Sequence, residues 1–285
     1  MSETLPAELR RNAIAELIAE RGFVRVAELA DRFGISGVTA RADLDALVDA
    51  ARARRVHGGA MPPNDLAPRP EREWQFEEAL TSSAVGKERV GRNAAALVRS
   101  GNTVIVDVGT TGLAVARALA ARADLSDVTV ITNSLTVALA LEPHIPRFTV
   151  IVTGGTLRPR QHSLVAPFAA PMLDQLHADL AFIGCNGVDG ERGITNINLP
   201  EAEVKRLMMG AAERVVIVAD AAKLGQVHLG RIATLDDIDL LVTDDQADAA
   251  LVEQITARGV RVITDELAPR HPPATLVTHP REERR

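Results

Sequence analysis

The chain predicts an α/β protein: a small helical module, then a larger domain built on a mostly parallel sheet. Three observations carry that expectation. Residues 6–50 place apolar side chains at helical spacing, the signature of short amphipathic helices. A stretch with four prolines between Pro62 and Pro70 then interrupts the pattern, as a stiff, extended linker does. Beyond it, seven short β-branched runs alternate with Ala- and Leu-rich segments, as strands buried on both faces between helices do.

Composition sets the outer bounds. At 285 residues, roughly two domains are expected. Hydrophobic residues make up 46% and aromatic residues 2%, so the core must be built from Ala, Val, Leu and Ile. No apolar run approaches the ~18 residues of a membrane span. The opening MSETLPAELRR is polar and does not read as a signal segment. A single cysteine, Cys185, excludes an internal disulfide and fits a reducing compartment. The expected location is therefore the cytoplasm, with no membrane partner.

The elements follow in order. Residues 6–20 read as a first helix with Leu9, Ala13, Ile14, Leu17 and Ile18 on one face, ended by Gly22. Val26, Leu29, Ala30 and Phe33 form a second stripe, stopped by Gly34. Ser36 can cap a third helix, whose apolar stripe is Ala40, Leu44, Leu47 and Val48. Gly37, Val38, Arg41, Ala42 and Asp45 then fall on its outer side. Two short helices around a tight turn, the second presenting Arg, are the geometry that enters a DNA groove. Arg52, Arg54, Arg55 and His57 precede Gly58 and Gly59. A basic strand running into a glycine turn resembles the wing of a winged helix, lying along the phosphate backbone. The expected boundaries are 1–61 for this module, 62–72 for the linker, 73–268 for the larger domain and 269–285 for a disordered tail.

In the larger domain a helix is expected over Lys87 to Arg99. The strand candidates are 103–107, 129–132, 148–153, 180–184, 214–220, 240–244 and 260–264, with helices such as Gly112 to Ala121 and Ala247 to Arg258 between them. Ligands of open parallel sheets bind at the carboxyl ends of strands. Three of those ends carry Asp107-Val-Gly109-Thr110-Thr111, Thr132-Asn133-Ser134 and Thr153-Gly154-Gly155-Thr156. Glycine, hydroxyls and amides at a helix N-terminus attract phosphate. Each motif alone is also an ordinary cap or turn. Together they point to an anionic, hydroxylated ligand.

Net charge is −6, an unfavourable balance for a DNA binder. Residues 1–72, however, hold 11 Arg against 11 acids, and a local Arg cluster decides phosphate contact. Lysine is scarce: only Lys87, Lys205 and Lys223, beside 29 Arg. Such lysines either mark places that need a compact ammonium or are ordinary surface residues. Glu201 and Lys205 stand four apart on an expected helix opening at Pro200. They are either a solvent ion pair or a carboxylate for sugar hydroxyls beside an ammonium for phosphate. Asp220 and Lys223 follow another strand end. The seven histidines lack metal-ligand spacing, and no nucleophile elbow or dinucleotide or P-loop glycine pattern occurs. No metal and no cofactor are expected.

The pattern Ser36-x-x-Thr39-x-Arg41-x-Asp43-Leu44, with Arg10, Ile14 and Ile18 before it and Arg55-x-His57-Gly58-Gly59-Ala60 after it, resembles the DeoR family of bacterial transcriptional regulators. So do the strand-end motifs, Gly154-Gly155, Phe182-Ile183-Gly184, Glu201-x-x-x-Lys205 and Asp220-x-x-Lys223. The resemblance spans nearly all of residues 6–265. It implies an effector domain similar in fold to ribose-5-phosphate isomerase. It also implies a repressor of a sugar-catabolism operon, working as a homo-oligomer on double-stranded operator DNA and released by a phosphorylated sugar.

On that reading Ser36 caps the recognition helix, Thr39 touches phosphate and Arg41 reads a base edge. Arg54, Arg55 and His57 contact the DNA backbone. Gly109, Thr110, Thr111 and Lys205 or Lys223 hold phosphate, while Asp107, Asn133 and Glu201 take sugar hydroxyls. Two departures stand out. The family often has Ile-Arg-Arg where this chain has Ala40-Arg41-Ala42. The isomerases carry paired carboxylates where this chain runs Cys185-Asn186-Gly187-Val188, which removes a local proton shuttle. The expectation is therefore no enzyme. The rivals are a sugar-phosphate-converting enzyme with an appended module, and a winged helix that binds protein rather than DNA.

Overall fold

In the computed structural model the described residues are 6–21, 23–50, 52–56, 58–61 and 73–264. They fall into two compact units, divided between Pro70 and Glu71. The expected linker 62–72 and tail 269–285 lie outside the described residues.

The first unit contains α1 (Ala7–Arg21), β1 (Val24–Arg25), α2 (Val26–Phe33), α3 (Gly37–Asp49), β2 (Arg54–Val56) and β3 (Gly59–Met61). Gly34 closes α2 in the left-handed conformation, φ 60°, which costs glycine least. Ser36 then opens α3, its Oγ accepting from the Thr39 N–H at 3.1 Å. Ile14, Leu17, Ile18, Leu29, Ala40, Leu44 and Leu47 form the core with Val24, Ala53 and Ala60. The three strands make an antiparallel ribbon in the order β1, β3, β2. Gly59 is required there: a Cβ would stand 2.2 Å from the Val24 carbonyl oxygen. One expected core residue faces out. Leu9 is 56% exposed, because the inward place in that first turn belongs to Arg10. Its Nε donates to Asp43 Oδ2 at 2.6 Å and its Nη2 to Oδ1 at 3.2 Å, a buried bidentate pair that ties α1 to α3.

The second unit opens with α4 (Phe76–Thr81) and α5 (Ala84–Ala95). Then come β4 (Thr103–Val106), α6 (Thr110–Ala121), β5 (Val128–Thr132), α7 (Leu135–Leu141) and β6 (Phe148–Val152). A hairpin follows, β7 (Thr156–Arg158) and β8 (Ser163–Val165), then α8 (Ala169–Leu173) and β9 (Ala178–Gly184). The chain continues through β10 (Gly187–Asp189), β11 (Gly193–Asn196), α9 (Leu199–Gly210), β12 (Ala212–Val218), β13 (Gly230–Ala233), β14 (Leu240–Val242), α10 (Ala249–Ala257) and β15 (Arg261–Ile263).

All seven runs expected as strands join one parallel sheet, in the order β15, β14, β12, β9, β4, β5, β6. Alternate residues face opposite layers. Val104, Val106, Val130 and Phe182 pack with Val90 and Ala94 of α5, Val115 and Leu119 of α6 and Leu141 of α7. Ile105, Ile131, Ile183 and Ile217 pack with Leu173 of α8, Val204 and Met208 of α9 and Ile255 of α10. Smaller antiparallel ribbons sit apart from the sheet: β7 with β8, and β10, β11 and β13. From β4 the chain first winds outward through β5 and β6, then returns to β9 on the other side of β4. That reversal makes the carboxyl ends of β4 and β9 the topological switch point, the usual ligand position in such sheets.

Candidate functional site

In the first unit the outer side of α3 is the candidate nucleic-acid face. Val38 is 73% exposed, and Arg41, Ala42 and Asp45 are exposed too. Ser36 Oγ lies 2.9 Å from Thr39 Oγ1, so both hydroxyls gather at the helix N-terminus, which favours an anion. Arg41 forms no described ion pair and stands on the exposed side of the helix. Arg55 is less available: its Nε is 2.9 Å from Asp45 Oδ1, binding strand β2 to α3. Arg54 lies in β2 by its backbone. Its side chain and the whole of His57 lie outside the described residues.

In the second unit the switch point between β4 and β9 collects the expected residues by two different means. Asp107, directly after β4, is fully buried. Its Oδ2 accepts from the Gly184 N–H at 3.0 Å, across the switch point, and from Lys205 Nζ. Its Oδ1 is buried and has no partner. Lys205 comes from α9 and is 3% exposed. Glu201, one turn earlier on the same helix, is also buried and does not face solvent. Its Oε1 accepts from Ser163 Oγ at 2.7 Å and from Arg158 Nη1. Arg158 gives its other amino group, Nη2, to Glu73 Oε2 at 2.6 Å.

Lys205 thus pairs directly with Asp107, while Glu201 acts on it only through its charge. Burial works against the charge on Lys205, but Asp107 and Glu201 more than offset it and hold the amine protonated above its ordinary range. Burial pushes the Asp107 carboxyl up, with Lys205 opposing and Glu201 adding to the rise.

The helix N-terminus beside this pair is open. Gly109 begins α6 at φ 113°, and a Cβ there would meet nothing within 4 Å. Thr110 is buried and Thr111 half-buried in the first turn, where backbone N–H groups lack helical partners.

Thr132, Asn133 and Ser134 are fully buried and brace this loop. Thr132 Oγ1 donates to the Val106 carbonyl at 2.6 Å and accepts from the Ser134 N–H at 3.1 Å. Asn133 Oδ1 accepts from the Val108 N–H at 3.0 Å. Ser134 caps α7 through the Val137 N–H. Gly154 (φ 68°) and Gly155 (φ 129°) turn β6 into β7, and a Cβ on Gly155 would stand 2.0 Å from the Val165 carbonyl oxygen. Both strand-end groups therefore have structural work in addition to any contact with a ligand.

Lys223 closes the turn Ala221–Lys223 after β12, half-buried, with Asp220 at its start. The charges of Lys205, Lys223, Asp220 and Asp107 all act on Cys185, whose thiol burial pushes up to about 12. The third lysine belongs to the same neighbourhood. Lys87 Nζ donates to the carbonyls of Ala79 and Ser82 at 2.6 and 2.7 Å. Burial lowers its amine to about 8, with Asp220 opposing and Lys223 adding to the fall. Lysine scarcity pointed to this residue without assigning it a place. Arg158, Ser163 and Glu73 carried no sequence signal: each is a common residue type, and their partners lie 38 to 85 positions away. No helix among the described residues is long and apolar enough to cross a membrane.

Comparison with known proteins matches both units. The model of the DeoR-like helix-turn-helix domain matches residues 10–65, and that of the DeoR C terminal sensor domain matches residues 82–245. The chain is 36% identical over 259 residues to the HTH-type transcriptional regulator GlpR of Haloferax volcanii, covering 91% of this chain and 98% of that protein. It is 28% identical over 253 residues to the glycerol-3-phosphate regulon repressor of Escherichia coli, covering 89% and 97%. A solved ribose 5-phosphate isomerase from Methanocaldococcus jannaschii aligns with 50% of this chain and 55% of its own, at 18% identity and a TM-score of 0.38.

Proposed function

The chain belongs to the DeoR family of transcriptional regulators, and we propose that it represses a sugar-catabolism operon until a phosphorylated sugar binds its sensor domain. The single observation that carries the effector half is the side-chain cluster at the sheet's switch point. There a buried Asp107 keeps one oxygen unpartnered beside Lys205, and Gly109 opens a helix N-terminus. The name of the E. coli relative, a glycerol-3-phosphate regulon repressor, supports a phosphorylated effector.

On this proposal phosphate is held by Gly109, Thr110 and Thr111 with Lys205 or Lys223, and hydroxyls by Asp107, Asn133 and Glu201. Thr132, Ser134, Gly154 and Gly155 shape the loops around them. Operator DNA is engaged by Ser36, Thr39 and Arg41 of α3, with Arg54, Arg55 and His57 on its backbone. The protein works in the cytoplasm as a homo-oligomer, since paired half-sites call for paired recognition helices. It performs no catalysis. The effector must favour the arrangement that cannot hold DNA, because a ligand indifferent to the two states shifts nothing. A coupling of ~1–3 kcal/mol lowers operator affinity about 5- to 150-fold.

Arg41→Ala tests the DNA half. A bidentate Arg–guanine contact gives about 1–3 kcal/mol of discrimination. Fluorescence anisotropy on the upstream DNA of its own gene and on a scrambled duplex should show that preference collapse. Unchanged discrimination would remove Arg41 from base readout.

A further inference from the structure

Residues 73–77 are the first described after the proline-rich stretch, and they are strapped to the β7–β8 hairpin at four points. Arg158 Nη2 donates to Glu73, Gln161 Nε2 to the Trp74 carbonyl, and the Phe76 N–H to the Arg160 carbonyl at 2.9 Å. His162 Nε2 lies 3.0 Å from Glu77 Oε1, and its ring meets that of Phe76 edge-on at 5.3 Å. The same hairpin reaches the switch point. Arg158 Nη1 and Ser163 Oγ both donate to Glu201 Oε1.

A line of alternating charge results: Glu73, Arg158, Glu201, then Lys205 one helical turn on, then Asp107. The side chains of Glu73, Arg158 and Glu201 are only 15%, 18% and 7% exposed, so solvent screens the line weakly. One guanidinium divides its two amino groups between two carboxylates. A lysine ammonium, a point charge without the planar fork, cannot span both in that way.

We propose that Arg158 is a positioning residue that couples the effector site to the segment leading out of the DNA-binding unit. The inference rests on the effector reading given above. A phosphate entering beside Lys205 adds negative charge next to Glu201 and draws the guanidinium toward itself. Glu73 then loses its partner, and the strap at 73–77 loosens. Arg158 exchanges partners within the sensor unit, and the loosened segment lies immediately after the proline-rich stretch in sequence.

The test uses the full-length protein and three probes in turn: glycerol 3-phosphate, ribose 5-phosphate and fructose 6-phosphate. For each, DNA affinity is measured with and without probe in wild type, Glu73→Gln and Arg158→Lys. Probe binding is measured separately by calorimetry, and amide exchange is followed over residues 73–81. A probe that releases DNA from wild type, within the 5- to 150-fold range of ordinary coupling, should also speed exchange in 73–81. In both variants that release should fall below about twofold while the probe still binds, and exchange in 73–81 should be fast without it. A strap with a purely structural role would leave the ratio of DNA affinities intact. If both variants keep the wild-type ratio, the proposal is overturned and the effector reading stands. If no probe binds or displaces DNA from wild type, the effector reading fails and the proposal with it.

Discussion

Replacing Lys205 with Met should destabilise the sensor unit by an amount that depends on pH in a defined direction. Removing one partner of a buried ion pair costs about 3–5 kcal/mol, because the other charge is left uncompensated. Here Asp107 is fully buried, its Oδ1 has no partner, and its Oδ2 would retain only the Gly184 N–H. Burial already raises the Asp107 carboxyl above its ordinary value of 3.8, and Lys205 opposes the rise. Without Lys205 the folded-state value climbs further. A carboxyl whose folded value exceeds its unfolded one binds more protons when native, so stability falls as pH rises between the two. The slope is at most about 1.4 kcal/mol per pH unit. A loss of 3–5 kcal/mol therefore needs roughly 2–4 units to develop. The gap between wild type and variant should be smallest in acid, where the carboxyl is protonated in both proteins, and widen as pH rises.

Trp74 is the chain's single tryptophan and lies in the sensor unit, so urea unfolding followed by its fluorescence reports that unit. Adding Asp107→Leu should recover most of the loss, since apolar residues of similar volume replace buried ion pairs at little cost. A gap that stays constant from pH 4 to 8 would refute the reasoning, as would a double variant no more stable than Lys205→Met alone.

Three further outcomes are expected. Asp43→Asn replaces the charge-assisted bidentate pair with Arg10 by hydrogen bonds to a neutral amide and should cost the DNA-binding unit about 1.5–3 kcal/mol; faster amide exchange in α3 with unchanged exchange in α9 would show it. Gly155→Ala should cost more than about 2 kcal/mol through left-handed strain and the clash with the Val165 carbonyl, while Gly210→Ala, in open space at the end of α9, should be neutral or stabilising by up to ~1 kcal/mol; paired urea titrations compare them. Lys87 has a folded value of about 8 against 10.5, so the penalty for its charge is complete below pH 8 and vanishes toward pH 10.5. The stability difference between wild type and Lys87→Met should therefore shift by up to about 3 kcal/mol across that window, in favour of wild type as pH rises, and a difference flat in pH would contradict the assignment.

The sheet was legible because its strands are continuous apolar runs, a consequence of helices covering both faces. The small ribbons were not. Strands of three or four residues such as β10 and β11 carry little periodicity, and they form where glycine permits close approach. A Cβ on Gly187 would stand 2.2 Å from the Gln226 carbonyl oxygen, and one on Gly193 would stand 2.3 Å from that of Ala233.

At the switch point, Asp107 and Lys205 were legible for separate reasons, a strand-end carboxylate and a rare lysine, but their pairing across 98 positions was not. The spacing of Glu201 and Lys205 left open a solvent ion pair or a carboxylate and an ammonium turned to a ligand. Each instead turns to a partner outside the helix, Arg158 or Asp107. Arg158 was hidden by abundance, one of 29 arginines. Leu9 was misread because hydrophobic spacing cannot anticipate that a neighbouring Arg10 takes the buried place through Asp43.

The most direct measurement selects fragments of the protein's own genome on the full-length protein, then titrates the bound fragments with sugar phosphates. The account predicts a specific operator held at least ~10³-fold more tightly than scrambled DNA, and released about 5- to 150-fold by one sugar phosphate. Enrichment of no sequence, or an operator complex indifferent to every sugar phosphate, would contradict it.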